Sequence, residues 1–196
     1  MKRLSKMTAA DTLAMAIGIE GANAAIYTIW ADRFRPYNTE LSELLDGFAQ
    51  EEKLSQKKLK ELYKQNFHKT LNVKSEPTQD DALETANEDL EHFFVLNESM
   101  SKKIINAVMK AEYDTLHFFQ NAQLNTKDKN MEKTFHMLAD FEKQHVNELK
   151  ENLEHNQEIK PDVTEDPIKE DTAEWGEQKL FATAFNSDLW RNEPNT

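Results

Sequence analysis

Cysteine is absent from the 196 residues, which excludes disulfides, thiolate metal sites and cysteine-ligated iron-sulfur clusters. A chain with no thiol to staple fits a reducing compartment, so the cytoplasm is the expected location. Glycine and proline are nearly as scarce, at 4 and 5 residues. That scarcity disfavours many strands and turns, and the abundance of Ala, Leu, Glu, Lys and Gln favours helix. No stretch is expected to reach the roughly 18 apolar residues of a membrane span, and Met1 to Met7 is too short and polar for a secretory signal. Positive charge is also in deficit. Lys and Arg number 24 against 36 Asp and Glu, a formal net charge of -12. A field of that sign repels nucleic acid and anionic lipid, so neither is an expected partner.

What is present is helical periodicity. Thr8 followed by Asp11 resembles a capping box, and Leu13, Ile17, Glu20, Ala24, Tyr27 and Phe34 then recur at helical steps. A first helix over 8–34 is predicted, stopped by Pro36. Asn38 or Thr39 can cap a second, running to 66, with Leu41, Leu45, Phe48, Glu52, Ser55 and Leu62 on one face. Residues 67–98 are more polar and contain Pro77, so they read as a long crossover with a short helix over Ala82 to Phe94. A third helix is predicted over Ser99 to Leu124, with Ile105, Val108, Met109, Glu112, Leu116 and Phe119 facing inward. A short turn at 125–128 leads to a fourth helix, which carries Met131, Phe135, Leu138, Glu142, His145 and Leu149 and ends near His155.

Two long helical hairpins joined by a crossover make an all-α four-helix bundle, expected over residues 1–155. Residues 156–196 read as a C-terminal tail broken by Pro161 and Pro167. From Glu151 to Thr196 there are 12 acidic and 4 basic residues, yet Trp175, Leu180, Phe181, Phe185, Leu189 and Trp190 lie at the end. Such aromatics pack on the parent domain or on a second subunit, and a homodimer is the expected assembly.

The two hairpins repeat one polar pattern within an apolar face. Phe48, Ala49, Glu52 and Ser55 are matched by Leu138, Ala139, Glu142 and His145, and Glu20 with Tyr27 is matched by Glu112 with Phe119. Four glutamates on inner faces would converge near the middle of the bundle. Burying them ionised costs several kcal/mol each unless they are paired, and together they repel. No inward Lys or Arg lies at their level, so divalent metal is the better neutraliser. Glu142 and His145, one helical turn apart, can reach the same ion. Oxygen-rich ligation with imidazole suits iron or manganese, with zinc possible by chemistry and copper less suited. His68, His92, His117, His136 and His155 are expected at surfaces or interfaces, and Glu40, Glu51 and Glu148 in solvent.

Glu20 with Tyr27, the run Phe48-Ala49-Gln50-Glu51-Glu52, Glu112, and the run from Leu138 to His145 resemble the ferritin-like superfamily and its rubrerythrin-like branch. The resemblance covers residues 8–155 and implies a di-iron carboxylate site. Glu52 and Glu142 would bridge two metals, Glu112 and His145 would complete one, and Glu20 would serve the other. The chain departs from the pattern at two positions: Ser55 replaces the helix-two histidine, and Thr115 stands where rubrerythrins add a carboxylate. The rubredoxin domain that delivers electrons in rubrerythrins is also missing, so a reductant would be external. Three outcomes follow. A two-metal site would oxidise Fe(II) with oxygen or peroxide, in oxidative-stress defence or iron handling. A site filled only at His145 would bind one metal with slow chemistry, and an idle scaffold would serve as an interaction protein. Tyr27 is either a core residue hydrogen-bonded to a carboxylate or a proton or electron donor.

Overall fold

The computed structural model describes residues 7–68 and 94–155. These residues form α1 (Ala9–Phe34), α2 (Thr39–Phe67), α3 (Glu98–Asn125) and α4 (Lys129–His155), with no strand among them. The helix boundaries follow from local capping chemistry. Thr8 and Asp11 form a reciprocal capping box, each side chain 3.1 Å from the other's backbone nitrogen. Asn38, rather than Thr39, caps α2 by accepting from the Leu41 amide at 3.0 Å. Asp128 accepts from the amides of Asn130 and Met131 to open α4. Asn97 does the same for α3 through Met100, so that helix starts one residue earlier than the Ser99 expected.

α1 packs lengthwise on α2 and α3 on α4, while α1 meets α3 and α2 meets α4 more sparingly. This is the predicted pair of hairpins, compatible with a ferritin-like four-helix bundle. Ser42 Oγ donates to the Ala31 carbonyl at 2.7 Å and fastens the start of α2 to the end of α1. Further along, Gly21 has no side chain where Gln56 of α2 lies, and Gln56 Nε2 reaches the Ile17 carbonyl at 3.1 Å. The missing Cβ therefore permits close approach one residue from Glu20. In the other hairpin Phe119 stacks on Phe135 with ring centroids 6.2 Å apart. The Val95 amide donates to the Arg33 carbonyl, which brings the entrance of the second hairpin to the end of α1.

α1 differs from its expected one-sided stripe. Met15 to Glu20 are buried consecutively, and because successive residues point 100° apart, burial extends around the helix. Ala111 to Phe119 of α3 behave alike. This corrects the expectation that no stretch is long and apolar enough to span a membrane: Ala9–Phe34 is, by length and composition. Two-thirds of its most apolar stretch lies inside the protein (67%), which accounts for that composition by packing. The expected helix over Ala82 to Phe94, except for Phe94 itself, and the tail from 156 onward lie outside the described residues.

α2 ends on His68, whose backbone is left-handed at φ 52° while its amide bonds the Lys64 carbonyl. A Cβ makes that conformation costly, and glycine is the residue that adopts it freely. His68→Gly should therefore stabilise the protein by about 0.5–1 kcal/mol. Thermal denaturation should show a melting temperature a few degrees higher, whereas a fall would show that the histidine side chain contributes more than its backbone costs.

Candidate metal centre

Each hairpin sends carboxylates into the space between them. α1 supplies Glu20, α2 Glu52, α3 Glu112 and α4 Glu142 with His145, and all five side chains are at most 3% exposed. Their positions repeat at helical spacing within apolar faces, so the packing that buries Phe48, Leu138 and Leu149 carries the charged groups inward too. Donor atoms of Glu52, Glu112, Glu142 and His145 lie within 4.8 Å of one another. His145 Nδ1 is 3.3 Å from Glu112 Oε2, 3.6 Å from Glu52 Oε1 and 3.9 Å from Glu142 Oε2. Two donors at ordinary bonding distance from one ion stand about 3–3.5 Å apart, so this set needs little movement to share one. Glu20 lies beyond the tight group, beside Glu52 and Ser55.

The donors lack other partners. Both oxygens of Glu20, Glu52 and Glu112, one of Glu142 and the Nδ1 of His145 are buried without a hydrogen bond. Leaving so many polar atoms unsatisfied is expensive, which makes them fit a bound cation. Arg33 is the one buried Lys or Arg among the described residues, and it sits about 20 Å along the α1 axis from Glu20.

Without a cation, protons relieve the repulsion. Burial, then the Glu52 charge, raises Glu20 well above the usual carboxylate range. Glu142 rises for the same first reason, with Glu52 and Glu112 adding. Burial carries Glu52 to about 7, against the opposing pull of the neighbouring Glu20 carboxyl. Burial alone would discharge His145, but Glu112 leads the carboxylates that outweigh it and raise the imidazole to about 10. Tyr27 is fully buried beside Glu112, and burial followed by the Glu112 and Glu52 charges keeps its phenol protonated.

The rubrerythrin family model matches residues 11–153. The chain belongs to the rubrerythrin family. No curated protein and no solved structure matches it. Membership in the rubrerythrin family suggests a metal, typically iron, and the buried carboxylate and histidine cluster suggests a two-metal site. Within this rubrerythrin-family chain the two unusual positions are both occupied by buried hydroxyls. Thr115 accepts from Asn23 Nδ2 at 3.2 Å, and Ser55 lies beside Glu20.

The structure adds residues that the sequence pattern did not single out. Glu51, expected in solvent, has a side chain 62% exposed, yet its Oε2 is 2.9 Å from His145 Nε2. Its one signal was adjacency to Glu52. Asn23 was legible only as a polar residue one turn past Glu20 in an apolar helix. Phe48 stacks on the His145 ring with centroids 4.3 Å apart, and Tyr27 stands edge-on to Phe48. His136 faces solvent as expected and His117 is buried, and neither belongs to the cluster. Glu40, Glu148 and His68 are exposed, while the side chains of His92 and His155 lie outside the described residues.

A pH prediction follows for metal-free protein. Glu52 titrates near 7 when folded against 4.5 ordinarily, and His145 near 10 against 6.5. The folded state therefore binds more protons than the unfolded state between pH 4.5 and 10, so stability falls as pH rises through that window. Urea denaturation of the metal-free chain at pH 5.5, 7 and 9 should give successively lower midpoints. Midpoints rising across the series would contradict this electrostatic picture.

Proposed function

We propose that this chain is a di-metal carboxylate protein that binds iron between its hairpins and oxidises Fe(II) with oxygen or peroxide, in oxidative-stress defence or iron handling. The observation that carries this is the set of buried, unpartnered carboxylate oxygens gathered around His145 Nδ1. Glu52 and Glu142, from opposite hairpins, are the bridging candidates. Glu112 and His145 would complete one position, and Glu20 would serve the other. Manganese or zinc would satisfy the same donors, but neither divalent ion supplies the Fe(II)/Fe(III) couple that this oxidation uses.

Bound iron supplies the electrons and the Lewis acidity. Two Fe(II) held by these residues would provide the two electrons that, with two protons, take oxygen to hydrogen peroxide or peroxide to two waters. The protein's part is electrostatic. The fixed carboxylates favour the more positive ferric product, in a site whose low polarity strengthens that preference. Phe48 and the ring of Tyr27 help keep water out, while the Tyr27 hydroxyl holds a proton beside Glu112. Tyr27 is the candidate for supplying it. Electrons that restore Fe(II) come from outside these 196 residues, which contain no cysteine for a redox centre of their own.

The Glu20 side is the weaker half. It has Ser55 in place of an imidazole, and the Thr115 hydroxyl is already engaged by Asn23. These two observations favour a second reading, a ferritin-like metal-binding or interaction protein without turnover. We place the working unit in the cytoplasm as a homodimer, with no nucleic-acid or membrane partner, on the grounds of the charge, the missing thiols and the aromatic tail.

Anaerobic Fe(II) loading followed by metal analysis and oxidant consumption tests these readings. Two irons per chain with matching uptake of oxygen or peroxide is the expected result. Retained iron without oxidation would establish the metal-binding form of the second reading, and no retained iron would overturn the di-metal proposal and leave the interaction-protein form. Glu142→Ala should keep its helical circular dichroism while binding metal more than about 100-fold more weakly, beyond the loss typical of a residue that only supports a ligand.

A further inference from the structure

We infer that Glu51 is a positioning residue for His145, fixing which ring nitrogen faces the metal. The inference rests on the metal-site reading above and extends it to a residue outside the ligand set. His145 is 3% exposed, and its two nitrogens face different environments. Nδ1 looks into the cluster toward Glu112, Glu52 and Glu142, at 3.3–3.9 Å. Nε2 looks outward to Glu51 Oε2, at 2.9 Å.

A neutral imidazole has one N–H and one lone pair, and only the nitrogen carrying the lone pair can bind a metal. Three carboxylates around Nδ1 would draw the ring proton there, which is the wrong tautomer for a ligand. Glu51 supplies the competing acceptor, closer than any of the three. With the proton on Nε2 and donated to Glu51, Nδ1 presents its lone pair to the cation. Phe48 holds the ring plane by stacking, with planes 24° apart, so a ring flip that would turn Nδ1 away from the cluster and Nε2 away from Glu51 is hindered from a second side.

The contact also has a structural consequence. Glu51 is on α2 and His145 on α4, so this hydrogen bond spans the sparsely packed join between the hairpins. An exposed ion pair is ordinarily worth little, but here one partner is buried and directional, so the orientation it imposes matters more than its strength. The exposure of Glu51 is no obstacle, because the carboxylate has only to place one oxygen at the ring while its stem lies in water.

The test uses the full chain and Zn(II) alone, titrated in competition with a chromophoric chelator. Glu51→Ala should weaken Zn(II) binding by about 10–100-fold. Glu51→Gln, whose amide oxygen still accepts from Nε2, should return the affinity to within a few-fold of wild type. Nitrogen-15 spectra of the Zn(II)-loaded ring should show a slowly exchanging Nε2 proton in wild type and Glu51→Gln, and lose it in Glu51→Ala. A merely structural role would not produce that pattern. Glu51→Ala binding as tightly as wild type, while Glu142→Ala loses the metal, would overturn the inference and leave the metal site standing. Equal weakening in both Glu51 variants would also overturn it, by assigning the effect to charge. If the wild-type chain binds no Zn(II), the metal-site reading fails and this inference falls with it.

Discussion

Four glutamates from four helices share one water-poor space, and their mutual repulsion is the constraint around which the bundle is arranged. Isolated, an ionised carboxylate in such a place would be driven back to its neutral form. Here burial raises Glu20, Glu52 and Glu142 together, and the nearby carboxylates hold His145 cationic. Protons and metal ions are thus alternative answers to one electrostatic problem. Oxygens that can accept but have nothing to accept from favour the metal ion.

The fold serves that arrangement by concentrating its close packing within each hairpin and setting polar contacts into the shared apolar core where the hairpins meet. Ser42 with Ala31, and Gln56 settled against the helix at Gly21, bind α1 to α2. Between the hairpins lie the carboxylates, the Asn23–Thr115 bond, and the Glu51–His145 bond. The charge distribution is also uneven. One half has Glu112 and an imidazole held on three sides, and the other has Glu20 with hydroxyls. That asymmetry distinguishes this chain from the four-carboxylate, two-histidine pattern its duplication otherwise follows.

Helix positions and the five ligand candidates were legible because both are written in local spacing. A cap needs only its own first turn, which is why Thr8 could be read directly and the α2 cap narrowed to Asn38 or Thr39. A glutamate set in a face whose apolar residues recur every three or four positions has its direction fixed by that spacing. Two kinds of feature were not legible. The burial around α1 and α3 depends on what surrounds a helix, and an apolar sequence such as Met15 to Ile19 is equally consistent with one covered face or several. Glu51 depends on tertiary reach: by helical direction it belongs at the surface, and it does lie there, yet the neighbouring helix brings His145 within hydrogen-bond distance. The Asn23–Thr115 pair is hidden for the same reason, since its members lie in different hairpins.

Protons displaced on metal binding report most directly on whether a cation holds these carboxylates. A weakly buffered solution of metal-free protein at pH 7, titrated anaerobically with Fe(II), should release protons in step with the iron bound, because groups raised by burial give them up when coordinated. The release should vanish in Glu142→Ala, along with the binding. Iron that binds without displacing protons, or no binding at all, would contradict the account.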